Sequence, residues 1–227
     1  MTLLRSVTDA VLAALIAPPC VSCGHVLDRP LAGAVCTQCW EVIGRATTPV
    51  VRLSSSVSSA AAVGEYEGSL RAIIHALKYD GRRSVAPPLT RLMADRGRDI
   101  LRGADAVVPV PLHRRRERER GFNQAADLAR GLGLPVWLVL QRVAPTRAQV
   151  ALPAEERHHN MRDAFAIRRR RWGGRVRPPD LHGKVIVLVD DVMTTGATLD
   201  ACARVVRGAG ARDVRALTAA RVGTGRG

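Results

Sequence analysis

The most informative segment of the sequence is Val185-Ile-Val-Leu-Val-Asp190-Asp191-Val-Met-Thr194-Thr195-Gly196-Ala197-Thr198. Its five consecutive aliphatic residues, Val185–Val189, predict a strand that is buried on both faces, as the strands of parallel sheets are. Two carboxylates follow at the end of that strand, and a short turn rich in hydroxyl groups leads into a helix. Because ligands of open parallel sheets bind beyond the carboxyl ends of the strands, the stretch also predicts a binding site.

The residues of this turn suit an anionic ligand. Three threonine hydroxyls offer hydrogen-bond donors: Thr194, Thr195 and Thr198. Gly196 lets the backbone approach a ligand closely, and the start of the helix adds free N–H groups. Asp190 and Asp191 would repel a bare phosphate, so they favour a sugar phosphate whose vicinal hydroxyls donate hydrogen bonds to them. The alternative is an ordinary helix N-cap, which needs only one capping residue.

Strand and helix patterns alternate along the rest of the chain. The predicted strands are Ala60–Glu65, Val107–Val110, Pro135–Leu140, Lys184–Val189 and Val214–Ala220. The predicted helices are Ser69–Tyr79, a helix from Pro87 to Leu101, Phe122–Leu132 and Leu199–Val206. This alternation predicts an α/β fold over residues 60–222, with a mostly parallel sheet and helices on both of its faces.

Four of the five cysteines form two pairs with the spacing Cys-x2-Cys: Cys20 with Cys23, and Cys36 with Cys39. In this spacing both thiolates of a pair can reach one ion, and two pairs complete a tetrahedron. We therefore predict a structural zinc module over residues 18–46, with an iron–sulfur site, disulfides or redox pairs as the alternatives. The fifth cysteine, Cys202, stands in an alanine-rich helical pattern and is expected to be a small buried residue.

The amino-acid composition argues against some classes of protein and favours an anionic partner. With 47% hydrophobic and 24% charged residues the chain is not disordered, and only 3% aromatic residues argue against a β-sandwich. The net charge is +15, and all basic residues except Lys78 and Lys184 are arginines, which predicts an anionic partner. Residues 1–17 read as an amphipathic helix. We expect a cytoplasmic protein without membrane insertion, because the longest apolar stretch, Ala10–Ala17, is too short to span a bilayer.

The segment Asp190–Thr198 resembles the loop that binds 5-phosphoribosyl-1-pyrophosphate (PRPP) in type I phosphoribosyltransferases. Within that superfamily the chain looks like the ComF (competence protein F) proteins over nearly its full length. Besides the four cysteines, the segments that carry the resemblance are Leu77-Lys78-Tyr79, Val108-Pro-Val-Pro111, Arg120-Gly-Phe-Asn-Gln124, and the spaced residues Gln149, Leu152, Arg157, Asn160 and Phe165.

The resemblance implies a phosphoribosyltransferase-like fold that binds PRPP with magnesium and transfers its phosphoribosyl group with release of pyrophosphate. It implies catalytic roles for Asp190 and Asp191, with Arg147 and Arg157 as further candidates in a mobile lid over Arg147–Asn160. The PRPP-binding residues that it implies are Val110, Pro111, Arg120, Asp190, Asp191, Thr194, Thr195, Gly196, Ala197 and Thr198. No residue pattern identifies the acceptor of the phosphoribosyl group.

A different class of function is also implied by the family name. The protein would then be a non-catalytic accessory of DNA uptake that binds single-stranded DNA or a helicase partner. The net charge of +15 and the run Arg168–Arg171 fit this alternative. A third interpretation is a regulator that senses PRPP and passes the signal to a partner protein.

Overall fold

The computed structural model describes residues 18–46, 48–143, 164–168 and 179–223. Its centre is a four-stranded sheet in which all neighbouring strands are parallel, in the order β1-β6-β5-β2. These strands are β1 (Ala60–Glu65), β2 (Ala106–Pro109), β5 (Val185–Met193) and β6 (Asp213–Arg221). A separate antiparallel pair consists of β3 (Leu140–Arg142) and β4 (Phe165–Ile167).

Helices connect and cover these strands. They are α1 (Thr37–Arg45), α2 (Gly68–Tyr79), α3 (Ala86–Arg96), α4 (Arg98–Leu101), α5 (Arg114–Arg120), α6 (Gln124–Arg130) and α7 (Ala197–Gly208), with short 3-10 turns at Pro30–Ala32 and Arg83–Val85. None of the helices in the described part of the chain is long and apolar enough to cross a bilayer. The cytoplasmic location stays a prediction.

The side chains of β5 divide between two hydrophobic clusters, because neighbouring residues of a strand point to opposite faces of the sheet. Val187 and Val189 pack with residues of α2, α3 and α6 on one face. Ile186 and Leu188 pack with residues of α7 on the other face. Since β5 also has β2 and β6 as neighbours, it is the central buried strand that its aliphatic run predicts. The predicted parallel sheet with helices on both faces is confirmed.

Two elements differ from the sequence prediction. The strand predicted over Pro135–Leu140 is wrong: Val136 makes a single parallel bridge to Val107, and β3 begins only at Leu140. After this bridge the chain leaves the main sheet and pairs with β4 instead, which no local pattern reveals. The helix predicted from Pro87 to Leu101 is divided into α3 and α4 at Gly97. A Cβ atom at Gly97 would lie 2.6 Å from the side chain of Leu217, so this glycine permits close packing against β6.

The segment with the four cysteines shares the core of the main sheet. Leu27, Val35 and Ile43 are buried in the same cluster as the residues of α2 and α3. The tight turn expected after the first cysteine pair is present, with Gly24 at φ 76° and its N–H donating to the carbonyl of Cys20 at 2.9 Å. The boundaries 18–46 and 60–222 stay predictions, since the packing is continuous between the two parts.

Candidate functional site

The carboxyl ends of β2 and β5 lie side by side and bring two predicted loops together. The N–H of Val110 donates to the carbonyl of Val189 at 2.9 Å, so the parallel pairing continues one residue past β2. This places the segment Val110–Pro111 next to Asp190. The amide of Asn123, the N-cap of α6, donates to the carbonyl of Val110 at 3.0 Å and fixes the loop from the other side.

The turn between β5 and α7 forms an open cradle. Thr194 and Thr195 are exposed, whereas Gly196 is buried in the left-handed region at φ 77°. A Cβ atom at this glycine would also lie 2.5 Å from the Cδ1 atom of Leu53, so only glycine fits there. Gly196 is the N-cap of α7 and has no side chain to cap it, so the first turn of this helix brings amides and partial positive charge to the cradle. The N–H of Ala197 donates to the Oγ1 atom of Thr195 at 3.4 Å.

The two carboxylates after the aliphatic run point to opposite faces of the sheet. The strand continues to Met193 because it stays paired with β6 up to Arg221, so both acids lie within regular β-structure. Asp191 therefore points to the face of α2 and α6, and Asp190 to the face of α7. That both acids accept hydrogen bonds from vicinal hydroxyls of one sugar stays a prediction.

Asp191 is the buried centre of a polar network. Its Oδ1 atom lies 2.7 Å from the Nζ atom of Lys78, and its Oδ2 atom accepts a hydrogen bond from the Nε2 atom of Gln124 at 2.5 Å. The Oε1 atom of Gln124 in turn accepts from the NH1 atom of Arg120 at 3.0 Å. The guanidinium of Arg120 lies 4.9 Å from the ring centroid of Tyr79. The network links the ends of α2, α5 and β5 and engages both oxygen atoms of Asp191.

Asp190 lies in a different environment. It is half-buried, and its Oδ1 atom accepts a hydrogen bond from the N–H of Asp191 at 2.8 Å. Burial, followed by repulsion from the Asp191 carboxylate, raises the pKa of Asp190 to about 8. The charges of Lys78 and of Arg142 on β3 oppose this shift, and the pKa of Arg142 is itself lowered mainly by burial. Asp190 is paired with Thr218 on β6, whose buried hydroxyl has no hydrogen-bond partner among the described residues.

The four paired cysteines come together in one cluster. The distance between the Sγ atoms of Cys20 and Cys39 is 4.0 Å, and that between Cys23 and Cys36 is 3.7 Å. All four sulfur atoms lie within 4.8 Å of one another. Four ligands at about 2.3 Å around a tetrahedral ion are separated by about 3.8 Å, so these sulfur atoms can hold a metal ion such as zinc.

The thiols of the cluster differ in pKa. Burial raises the pKa of Cys20, but the N–H groups of Cys36, Cys23 and Ser22 outweigh this effect and lower it to about 6. The N–H of Cys39 lowers the pKa of Cys36, but burial and the other three thiols outweigh this effect and raise it to about 12. The thiolate is the form that binds a metal. Cys202 is fully buried on α7, and burial raises its pKa, in agreement with the predicted structural role.

Some predicted residues lie outside the described residues. These are the N-terminal helix 1–17, the lid candidates Arg147, Gln149, Arg157 and Asn160, and most of the arginine run that begins at Arg168.

Conversely, Lys78, Gln124 and Arg142 are site residues that sequence reasoning did not select. Lys78 and Gln124 entered only as parts of family-like segments. The sequence contains one signal that could have identified Lys78: it is one of only two lysines in a chain that is rich in arginine.

Comparisons with known proteins match this part of the chain. A family model described as phosphoribosyl transferase domain matches residues 89–227. Over 169 residues the chain is 30% identical to competence protein F of Haemophilus influenzae, which covers 70% of this chain and 71% of that protein. Over 165 residues it is 34% identical to DNA utilization protein YhgH of Escherichia coli K12, which covers 67% of each. A crystal structure of purine phosphoribosyltransferase from Pyrococcus horikoshii is 21% identical and covers 56% of this chain and 66% of that chain, with a TM-score of 0.31.

Proposed function

The chain belongs to the phosphoribosyl transferase domain family and, within it, to the ComF family, and from that premise we propose that it binds PRPP at the carboxyl end of β5. The proposal depends on the start of α7. Gly196 caps this helix, the exposed Thr194 and Thr195 precede the glycine, and the half-buried Asp190 lies shortly before them. The 5′-phosphate would bind the amides and hydroxyls of Thr194–Thr198, where the helix end favours negative charge. Asp190 would accept hydrogen bonds from the ribose hydroxyls.

The pyrophosphate of PRPP would lie toward the segment Val110–Pro111. This segment adjoins Asp190 through the hydrogen bond between Val110 and Val189, so one ligand can reach both loops. Arg120 is the predicted cation for the pyrophosphate, and Gln124 holds its guanidinium near the end of β5. Asp191 is a positioning residue in this proposal, because its carboxylate is engaged with Lys78 and Gln124.

The reaction that such a site supports is transfer of the phosphoribosyl group. A nitrogen atom of the acceptor forms a bond to ribose C1 while the bond from C1 to the pyrophosphate oxygen breaks. Pyrophosphate leaves with the bonding electron pair, and the acceptor nitrogen loses its proton. Mg²⁺ bound with PRPP would neutralise the charge that grows on the leaving group. Asp190 offers the oxygen ligands that Mg²⁺ prefers, and a nearby cation would favour its ionised form.

Calorimetric titration of PRPP with Mg²⁺ into the full, zinc-loaded chain tests binding. We expect one PRPP per chain. Thr195→Val removes one exposed hydroxyl of the cradle and should weaken binding about tenfold, since a hydrogen bond to a charged group contributes about 1.5–3 kcal/mol. Thr37→Val makes the same change at an exposed position of α1 and should leave the affinity unchanged. Equal losses in the two variants, or no heat with the wild-type chain, would contradict the proposal.

Turnover needs a separate test, because a fold that binds PRPP need not catalyse transfer. Release of pyrophosphate from PRPP should be measured with a panel of nucleobases and simple amines. Release that depends on the acceptor supports the enzyme. Binding of PRPP without release by any acceptor favours a protein that senses or carries PRPP.

For the cysteine cluster, we propose a structural zinc ion. The separations of the sulfur atoms fit four thiolates around one tetrahedral ion, which leaves no coordination position open for catalysis. Because residues of this segment share the core with α2, the ion would stabilise the fold near the end of β1. Metal analysis of the purified chain should find one zinc per chain. Iron with inorganic sulfide would indicate an iron–sulfur cluster instead.

A second candidate function is the handling of single-stranded DNA, directly or through a helicase partner. The names of the relatives favour it, as does the net charge of +15. On α5, the exposed arginines include Arg114, Arg116 and Arg118. If DNA binds directly, the logarithm of the affinity for an oligothymidylate should fall with that of the salt concentration, with a slope of about −0.7 per neutralised phosphate. Affinity that does not change with salt would exclude this mode of binding.

A further inference from the structure

A pocket of about 390 Å³ lies between the end of α2 and α5. It adjoins the ion pair of Lys78 and Asp191, and its lining mixes aromatic rings with charged groups: Lys78, Tyr79, Arg116, Glu119, Arg120 and Phe122. Its volume falls in the range of small-molecule sites, about 300–1,000 Å³. The cradle at the start of α7 does not contribute to this lining, but Arg120, the proposed cation for pyrophosphate, does, so the pocket adjoins the proposed PRPP site.

The two aromatic rings of the pocket are held in place, that of Tyr79 exposed and that of Phe122 half-buried. Tyr79 is 63% exposed in a chain that has only 3% aromatic residues. The Arg120 guanidinium lies 4.9 Å from the Tyr79 ring centroid, and the ring of His75 lies 4.7 Å from it. Phe122, also on the lining, is supported by the guanidinium of Arg83 at 5.1 Å. Aromatic rings held in this way can contact the flat face of a base.

The charged part of the pocket has an excess of positive charge. Lys78 is neutralised by Asp191 at 2.7 Å, and Glu119 is paired with Arg115, also at 2.7 Å. Arg120 contacts the neutral side chains of Gln124 and Tyr79. Among the described residues no carboxylate lies within ion-pair distance of Arg116 or Arg120. Arginine is well suited to binding phosphate, so the pocket favours an anionic ligand.

We infer that this pocket binds a nucleotide, whose base contacts Tyr79 and Phe122 and whose phosphate contacts Arg116. A bare pyrophosphate would use the arginines but not the rings, and a neutral base would use the rings but not the arginines. A ligand that combines a base with a phosphate uses both. The same chemistry is offered by a free nucleotide and by a nucleotide within a single strand. The pocket shares Arg120 with the proposed pyrophosphate site, but the nucleotide contacts named here are Tyr79, Phe122 and Arg116, so the inference does not require that PRPP binds.

The experiment is calorimetric titration of the full, zinc-loaded chain with thymidine 5′-monophosphate, thymidine and pyrophosphate. We expect the monophosphate to bind at least tenfold more tightly than either of the others. Affinity for pyrophosphate that equals that for the monophosphate and falls equally in an Arg116→Ala variant would overturn the inference, since the pocket would then be an anion site only. A ten-residue oligothymidylate distinguishes the sources: affinity well above that of the monophosphate identifies a strand as the ligand, and similar affinity identifies a free nucleotide.

Matched variants locate the ligand. Arg116→Ala should weaken binding of the monophosphate about tenfold, whereas Arg114→Ala, which removes the same charge from the same helix outside this pocket, should not. Tyr79→Ala should weaken it similarly, and Tyr79→Phe should retain binding because the ring remains. Equal effects of the two arginine variants would overturn the inference. PRPP titrated into the Arg116→Ala variant should bind as in the wild-type chain, so failure of this pocket and failure of the PRPP site are distinguishable.

Discussion

Replacing Lys78 by methionine should destabilise the protein far more than the same change at Lys184. The Nζ atom of Lys78 lies 2.7 Å from Oδ1 of Asp191, and the two side chains are only 15% and 6% exposed. Removing one partner of a buried ion pair leaves the other charge without compensation, which costs about 3–5 kcal/mol. Because Gln124 still donates to Asp191, we expect a loss of about 3 kcal/mol in the free energy of unfolding.

Lys184 provides the control, since it is the only other lysine of the chain. Its partner Asp105 lies 3.1 Å away, and both side chains are more than one-third exposed. Solvent screens such a pair, so Lys184→Met should leave the stability nearly unchanged. The assay is urea unfolding of the zinc-loaded chain at pH 7, followed by circular dichroism.

A double-mutant cycle isolates the pair. With Lys78→Met, Asp191→Asn and their combination, we expect a coupling energy of about 2 kcal/mol, in the range found for residues in direct contact. Equal losses for Lys78→Met and Lys184→Met would refute the assignment of a buried ion pair. So would a coupling energy near zero.

Three further predictions concern other parts of the molecule. The stability of the wild-type chain should fall as the pH rises from about 5 to 8. The pKa of Asp190 in the folded chain, about 8, lies above the ordinary carboxyl value, so over this range the folded chain keeps a proton that the unfolded chain releases. Asp190→Asn should therefore become more stabilising relative to the wild-type chain as the pH rises. Parallel curves of stability against pH would contradict this. Cys23→Ser should lose the bound metal and lower the melting temperature, whereas Cys202→Ala should keep its metal; zinc analysis after gel filtration decides between retention and loss in each variant. Gly97→Ala should lower the free energy of unfolding by about 2 kcal/mol, because its Cβ atom would lie 2.6 Å from the side chain of Leu217. Gly208→Ala, whose Cβ atom would have no atom within 4 Å, should be tolerated. Equal melting temperatures for the two variants would contradict the close packing at Gly97.

The parts of the fold that follow from local patterns could be predicted from the sequence. The aliphatic run of β5 and the helix after Gly196 depend on neighbouring residues, and both are present where they are predicted. The strand expected at Pro135–Leu140 failed because pairing with β4 is a non-local choice, made with residues about 25 positions later in the chain. A hydrophobic run alone does not specify its partner.

The candidate site shows the same division. The order of acids, threonines and glycine indicates an anion cradle without any knowledge of the fold. The separation of Asp190 from Asp191 depends on how far β5 extends, and that is set by its pairing with β6 up to Arg221. Lys78 and Gln124 are far from Asp191 in sequence, so only the packing of α2 and α6 against the sheet reveals their contact.

A crystal structure of the zinc-loaded chain with PRPP and Mg²⁺ would show directly where PRPP binds. We expect the 5′-phosphate against the backbone of Thr194–Thr198, a ribose hydroxyl at the Asp190 carboxylate, and the pyrophosphate toward Val110. PRPP bound anywhere else on the chain, or no bound PRPP at a saturating concentration, would contradict this expectation.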